Sequence, residues 1–414
     1  MITLHSKLDI ASSFPLQFPY TWEDIIFFDI ETTGFSASTS YLYLIGCMYY
    51  KENTWQMIQW LADDMNSEEE ILDSFFNTLK SYKRLVHFNG TGFDIPYILH
   101  KCKRHHLQDP FQTIESFDIY KKLLPHKKLL PLSNYKLKTI ELFLGLERED
   151  SYSGEELIQI YANYLGRIQY ERLHLCQSNN NIPLSDSPSS VELSHIFLLH
   201  NMEDVIGLLQ VADILYYTTL FEKDIDILAA DSSQDENRLI LKFILPYSLP
   251  HAISWKAPLK SYHNVSDTSN LHLQLSANAD CDDMSLQLSA VNNELILIIP
   301  IYHGELKYFY DEYKNYYYLP KEDMAIHKSV AQYVDKDFRM KAKASNCYTR
   351  KSSSFLPQQE ELISPSFKAE YTDKSSYFES SNPLFMQTPM LNNYAKSLIR
   401  YIERNKETEI SYNL

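Results

Sequence analysis

Glycine is scarce, at nine positions in 414 residues. None of the nine builds a P-loop, a G-x-G-x-x-G turn or a G-x-S-x-G elbow, which excludes chemistries that rest on a backbone phosphate cradle or a strained nucleophile turn. Cysteine is scarce as well. Cys47, Cys102, Cys176, Cys281 and Cys347 are scattered with no C-x-x-C pair, so neither a disulfide framework nor a zinc site is indicated, and a reducing cytoplasm is the expected compartment. No stretch approaches the roughly 18 uncharged apolar residues of a membrane span, and the N-terminal stretch lacks an apolar signal core. Neither export nor membrane anchoring is expected. Positive charge is in deficit, with 38 Lys and Arg against 54 Asp and Glu, a net charge of −16. Such a balance argues against a polyanionic partner only on average, because binding follows local patches. Residues 81–140 reverse it, with 11 Lys and Arg against 4 Asp and Glu.

The length suits two domains. A change of character falls near residue 230: eight of the nine glycines lie at or before Gly207, and the polar run at 229–237, AADSSQDEN, reads as a linker. Domains are expected at 20–225 and 237–414. The first opens with the apolar runs IIFFDI, YLYLIGCMYY and TWQMIQWLA, which read as an antiparallel meander. A helix follows Ser67, with Glu70 in capping-box spacing. Then come the short strand RLVHFNG, a helix from Asp94 to about His105, and helices at 117–125, 136–145, 153–165 (opened by the Ser153/Glu156 box) and 191–217. Strands first, then strand alternating with helix, predict an α/β layer with a mixed sheet flanked by helices.

Four acids stand out against apolar surroundings. Asp29 and Glu31 close the first run as D-x-E, and residues two apart on a strand share a face. Asp94 follows RLVHFNGTGF at the turn into a helix. Asp204 lies four residues after His200, on one helical face with it. Singly, each has an ordinary explanation: an N-cap for Asp94, a solvated helix face for Asp204, a turn start for Asp29 and Glu31. Together, four carboxylates would repel unless divalent cations neutralised them, and oxygen-only ligation suits Mg²⁺ or Mn²⁺.

The order D-x-E, then N-G-x-x-F-D after a later strand, then an acid preceded by an aromatic on a late helix, resembles the DEDD exonuclease superfamily with its RNase H-like fold. More narrowly, SFDIYKKLLPHKKLLPLSNYKLKTIELFLGLERED followed by HNMEDVIGL resembles the YprB-like branch, related to the exonuclease domains of family B DNA polymerases. The resemblance covers roughly residues 20–220. It implies that Asp29, Glu31, Asp94 and Asp204 hold two Mg²⁺ or Mn²⁺ ions for 3′-5′ hydrolysis of phosphodiester bonds in DNA or RNA. The position of the tyrosine that one DEDD subgroup places four residues before the last acid holds His200, and the position of the other subgroup's histidine holds Leu199. Either His200 serves as the base, or Asn201 positions the attacking water.

In that frame the basic window flanks the Asp94 turn. Asn89 and Phe93 are expected to line the terminal nucleotide, Lys101, Lys103 and Arg104 to meet phosphates, and Asn201 to contact the nucleic acid as well. A solvated face is the expectation for His100, His105 and His106. A nucleic-acid-binding domain without catalysis and an RNase H- or resolvase-type endonuclease are the alternatives.

The second half carries no motif with an activity. Its runs NLHLQLSA, DMSLQLSAV, NELILIIPIY and ELKYFYDEY, with hairpins expected at Asn292-Asn293 and His303-Gly304, predict a mostly antiparallel β-rich region. Helices are expected near 322–335 and 391–404, and a basic surface loop at 336–351.

Overall fold

The computed structural model describes residues 1–11, 13–175, 188–221, 228–259, 285–383, 385 and 388–406. The chain forms two compact units, Met1–Thr218 and Thr219–Leu414. Among the described residues no helix is long and apolar enough to cross a membrane. Cys47, Cys102 and Cys347 are buried free thiols; Cys176 and Cys281 lie outside the described residues.

The first unit is built on one six-stranded sheet. Its strands are β1 (Ile2–Leu8), β2 (Ile25–Thr32), β3 (Leu42–Lys51), β4 (Thr54–Leu61), β5 (Arg84–His87) and β6 (Glu115–Asp118), in the order β1-β4-β3-β2-β5-β6. β2, β3 and β4 form the expected antiparallel meander, whereas β5 and β6 run parallel to β2. The sheet is therefore mixed. Strand β1, which the sequence reading did not include, pairs along the outer edge of β4. It is exposed on both faces for most of its length, so it lacks the half-buried alternation that marks a strand.

Among the described residues, six α-helices of five residues or more complete this unit: α1 (Glu68–Leu79), α2 (Asp94–His105), α3 (Ile119–Leu123), α4 (Leu137–Leu144), α5 (Gly154–Leu175) and α6 (Ser190–Val211). The central strand β2 buries Ile25, Ile26, Phe27 and Phe28 completely or nearly so, each such side chain contributing about 1.5–3 kcal/mol. Phe28 stacks on Phe75 of α1 at 5.5 Å, which claims one sheet face for α1. Side-chain alternation then turns Asp29 and Glu31 to the other face, where Tyr43 of β3, Tyr161 of α5 and Phe197 of α6 make an aromatic cluster. The functional strand thus has an apolar side that anchors it and an acidic side that meets α6.

Some caps differ from expectation. Ser67 makes no side-chain cap for α1; its hydroxyl instead donates to Asp64. Ser153 and Glu156 do form a reciprocal pair, and Ser189 with Glu192 caps α6 in the same way.

The second unit is antiparallel β throughout its sheets. One has five strands in the order β7-β8-β11-β10-β9, with β7 (Leu228–Gln234), β8 (Arg238–Ile244), β9 (Ile253–Pro258), β10 (Ser285–Val291) and β11 (Glu294–Pro300). A second joins β12 (Tyr302–Phe309), β16 (Tyr348–Gln358) and β17 (Ser376–Glu379), and a third joins β13 (Tyr316–Leu319), β14 (Met324–His327) and β15 (Met340–Lys341). Alternating burial along β8, β9 and β11 explains why their patterns were legible. Asn292, at φ 53°, makes the expected turn between β10 and β11. Four expectations fail. The proposed linker holds β7, His303-Gly304 lies inside β12, the segment 322–335 holds β14 and a one-turn helix at Lys328–Ala331, and the loop expected at 336–351 holds β15 and the start of β16. The expected strand NLHLQLSA lies outside the described residues. A long helix at Thr388–Asn405 matches the one expected near 391–404.

Candidate active site

Asp29 and Glu31 sit on the acidic side of β2, at the end that leads into the loop before β3. Across the ladder, Asp29 faces Gly46. A Cβ at Gly46 would lie 2.0 Å from Asn201 Oδ1, so this glycine is the space that admits Asn201. The Asn201 amide donates to Asp29 Oδ2 at 3.2 Å, and its Oδ1 accepts from Gln59 Nε2 at 3.0 Å. Asn201 is completely buried. Its expected place at the nucleic-acid surface is therefore corrected: its amide is spent inside the protein, holding Asp29.

Asp94 is the first residue of α2 and is buried. The Ile30 backbone N–H, between Asp29 and Glu31, is close enough to act on its carboxylate. Its loop is pinned by Asp118, at the end of β6, which accepts from the backbone N–H groups of Asn89 (2.9 Å) and Thr91 (3.2 Å) and from the Thr91 hydroxyl (2.6 Å). Asn89 needs that support, because it holds a left-handed conformation at φ 59°.

Asp204 and His200 come from α6 and share its face. His200 Nε2 lies 3.4 Å from Asp204 Oδ2 and 3.8 Å from Glu31 Oε1. One ligand atom each from Glu31, His200 and Asp204 all fall within 4.8 Å of one another. Two separately read motifs, on β2 and α6, thus meet.

Burial governs the electrostatics. Burial first, and then the charges of Asp204 and Asp94, push the carboxyls of Asp29 and Glu31 well above the usual range. Asp94 is pushed up to about 7, by burial first and, against its own backbone N–H, by Asp118 and Asp204. Among the described residues no Lys or Arg forms an ion pair with Asp29, Glu31 or Asp94. Buried carboxylates left without a cation are the donor set that a hard divalent ion satisfies. The site's residues therefore fit a divalent cation.

Several residues around this cluster were missed by the sequence reading. Arg148 forms a fork with Glu141 at 2.5 and 2.6 Å and donates to Asp204 Oδ1 at 2.5 Å. Glu141 reaches it because Gly207 leaves room: a Cβ there would lie 2.3 Å from Glu141 Oε1. Asp150 accepts at 2.6 Å from His200 Nδ1 and at 2.9 Å from Lys138 Nζ. Glu203, beside Asp204, accepts from the backbone N–H groups of Glu149 and Asp150, which ties the 148–150 segment to α6. The signal available in sequence was the charged run at 146–150, LERED, following an apolar helix.

The basic window divides. Lys103 and Arg104 are exposed, as expected. Lys101 is completely buried and pairs with Glu68 Oε1 at 2.8 Å. Its expected phosphate role is corrected, since a buried and paired ammonium presents nothing to a strand. His105 is likewise drawn onto Glu68 Oε2 at 2.8 Å and is not part of a solvated face. Phe93 is half-buried and meets the edge of Phe35 at 6.1 Å; Phe35 is 87% exposed.

Residues 26–216 match the model of the RNase H superfamily. No curated protein matches the chain significantly. Among solved structures, the chain is similar to the family B DNA polymerase of the archaeon Pyrobaculum calidifontis, at 10% identity and a TM-score of 0.35, over 56% of this chain and 34% of the polymerase. It is also similar to Escherichia coli exonuclease I in a zinc-bound complex with single-stranded DNA (12% identity, TM-score 0.26, 52% of this chain, 54% of the other). A third similar structure is exonuclease I of Methylocaldum szegediense (10%, 0.26, 52% and 53%). The chain spans about a third of the polymerase and about half of each exonuclease.

Proposed function

We propose that the first unit, corresponding to the domain at 20–225, is a metal-dependent 3′-5′ exonuclease of the DEDD type, YprB-like, acting on nucleic acid. The second unit, corresponding to the β-rich domain at 237–414, is left without an assigned activity. The observation that carries this reading is the gathering of Glu31, His200 and Asp204 within 4.8 Å beside a half-buried Asp29 and a buried Asp94 that, among the described residues, pair with no Lys or Arg. Asp29, Glu31, Asp94 and Asp204 would hold two ions of Mg²⁺ or Mn²⁺. Such ions lower the pKa of an attacking water and stabilise the leaving oxyanion of an in-line displacement.

The chain's own residues supply the rest. His200 Nε2 faces the carboxylates and accepts the proton as the water oxygen bonds to phosphorus. The P–O3′ bond then breaks, and the departing 3′-oxygen is protonated from solvent. Arg148 leaves Asp204 oriented by fixing one of its oxygens, and Asn201 does the same for Asp29. Exposed Phe35, resting on Phe93, offers a face on which a terminal base can stack, with Lys103 and Arg104 as nearby phosphate contacts.

The test is incubation of the full-length protein with 3′- and 5′-labelled DNA and RNA oligonucleotides in Mn²⁺. Stepwise shortening from the 3′ end is expected, with a loss of about a thousandfold or more in an Asp29→Ala, Glu31→Ala variant, the several kcal/mol that bound metal contributes. Cleavage of circular DNA at a comparable rate would make the protein an endonuclease, and binding without any cleavage would make it a non-catalytic module. His200→Phe is expected to lower kcat by about a hundredfold or more; an unchanged kcat would remove His200 as the base.

A further inference from the structure

We infer that Asp150 is a positioning residue for His200, fixing which ring nitrogen faces the reaction. The inference rests on the nuclease reading above for its catalytic meaning, but its structural content stands apart from it. Asp150 lies outside the D-x-E, N-G-x-x-F-D and final-acid motifs. It ends the LERED run, which the sequence reading quoted only as part of the YprB-like stretch and gave no role in the chemistry.

Three observations place it. First, its Oδ2 meets His200 Nδ1 at 2.6 Å, with the Asp150 side chain 1% and the His200 side chain 8% exposed. A contact this short and this dry acts as a charge-assisted hydrogen bond with Nδ1–H donating. A neutral imidazole carries one proton, so Nε2 is then left bare as an acceptor. Nε2 is the nitrogen turned toward Asp204 and Glu31.

Second, Asp150 is itself held. Lys138 Nζ donates to the same Oδ2 at 2.9 Å, and Oδ1 accepts from the Tyr152 backbone N–H at 3.0 Å. Its own N–H donates to Glu203 Oε2 at 3.0 Å. The carboxylate is therefore bound on both oxygens, and its backbone is tied to the helix that carries His200. Third, the partner nitrogen is reached from a different segment from the one that carries the acids. Glu31 and Asp204 come from β2 and α6, whereas Asp150 comes from the segment between α4 and α5, so the ring is gripped from opposite sides. Without Asp150 the imidazole is free to take the opposite tautomer, with Nε2–H aimed at Glu31 and Asp204 and nothing left to accept a proton from water.

The experiment is ¹⁵N NMR of the histidine rings, with His200 assigned by difference from a His200→Gln variant, at alkaline pH so that the ring is neutral. The wild-type ring is expected with a protonated Nδ1 and a bare Nε2. Asp150→Asn, equal in size but able to donate as well as accept, is expected to yield a mixed or reversed tautomer. Its kcat is expected to fall about ten- to a hundredfold, the usual cost of losing an outer partner of a site residue, with KM nearly unchanged and partial recovery in Asp150→Glu.

A wild-type ring with the proton on Nε2 overturns the inference without any variant having to fold. So does an Asp150→Asn protein with an unaltered tautomer, or one whose loss lies wholly in KM. Absence of nuclease activity in the wild type would instead defeat the nuclease reading, and the ring spectrum would still decide the dyad.

Discussion

Two buried acidic regions of the first unit make opposite uses of the same side chains. At the junction of α1 and α2, Glu68 is buried but fully served: Lys101 and His105 each approach at 2.8 Å, and the Leu42 backbone N–H donates at 2.8 Å. Although burial pushes its carboxyl up, His105, Leu42 and Lys101 together bring it below the usual range. At the end of β2, Asp29 receives one side-chain amide, and its carboxyl, like those of Glu31 and Asp94, is pushed up. Asp323 of the second unit follows the Glu68 pattern, with the hydroxyls of Tyr318 and Tyr348 and the Arg350 guanidinium all on its carboxylate. A structural acid is surrounded by its donors. Of the acids proposed to hold metal, Asp29, Glu31 and Asp94 are left short of them, whereas Asp204 has Arg148.

The largest effect that would sharpen this contrast comes from breaking the served region. Lys101→Met leaves Glu68 buried and without its ammonium, and should cost about 3–5 kcal/mol of stability, read by denaturant unfolding. Nuclease activity per folded molecule should not change. A loss of activity with stability intact would return Lys101 to the substrate groove.

Next in size is the response of the unserved region to pH. A carboxyl raised in the folded state binds its proton more tightly there than in the unfolded chain, so it contributes stability below the unfolded value near 4 and loses it as pH rises through the folded value. For Asp94 that value is about 7. Metal-free protein should therefore lose on the order of 4 kcal/mol from this group as pH rises from about 4 through 7, about three units at about 1.4 kcal/mol each. Asp94→Asn should flatten the decline, followed by thermal melts in EDTA. Glu68, with its lowered carboxyl, works in the other sense: its contribution is present above the unfolded value and is lost on acidification. An Asp94→Asn profile identical to the wild type would end the contrast.

The smallest effect belongs to the exposed basic pair. Neutralising Lys103 and Arg104 together should weaken oligonucleotide binding a few-fold and reduce the slope of log affinity against log salt by up to about two. Unchanged binding across a salt series would remove these side chains from the substrate path.

The acid pattern was legible because its logic is local: D-x-E on a strand and His200/Asp204 on a helix fix a face by period alone. What stayed hidden depends on partners far along the chain. Arg148 acquires meaning from Asp204, and Asp150 from His200, fifty or more residues away. The Lys101 expectation had a local warning that charge counting overrode. Asp94, Tyr97, Ile98 and Lys101 share the buried face of α2, so helical period alone placed this lysine inside. Asn201 lies likewise between Phe197 and Val205 on the buried face of α6. In the second unit, alternation marked the half-buried strands, while β7 escaped because its acidic, serine-rich sequence imitates a linker.

The claim that the unserved carboxylates are a cation site is tested most directly by adding Mn²⁺ to the metal-free protein and following its melting temperature alongside binding calorimetry. A ligand that binds only the folded state must stabilise it by RT ln(1 + [L]/Kd). The wild type should bind Mn²⁺ and melt several degrees higher as the ion is added, while Asp29→Asn, Glu31→Gln should neither bind nor shift. A wild-type protein that takes up no heat and melts at the same temperature with and without Mn²⁺ would contradict the account.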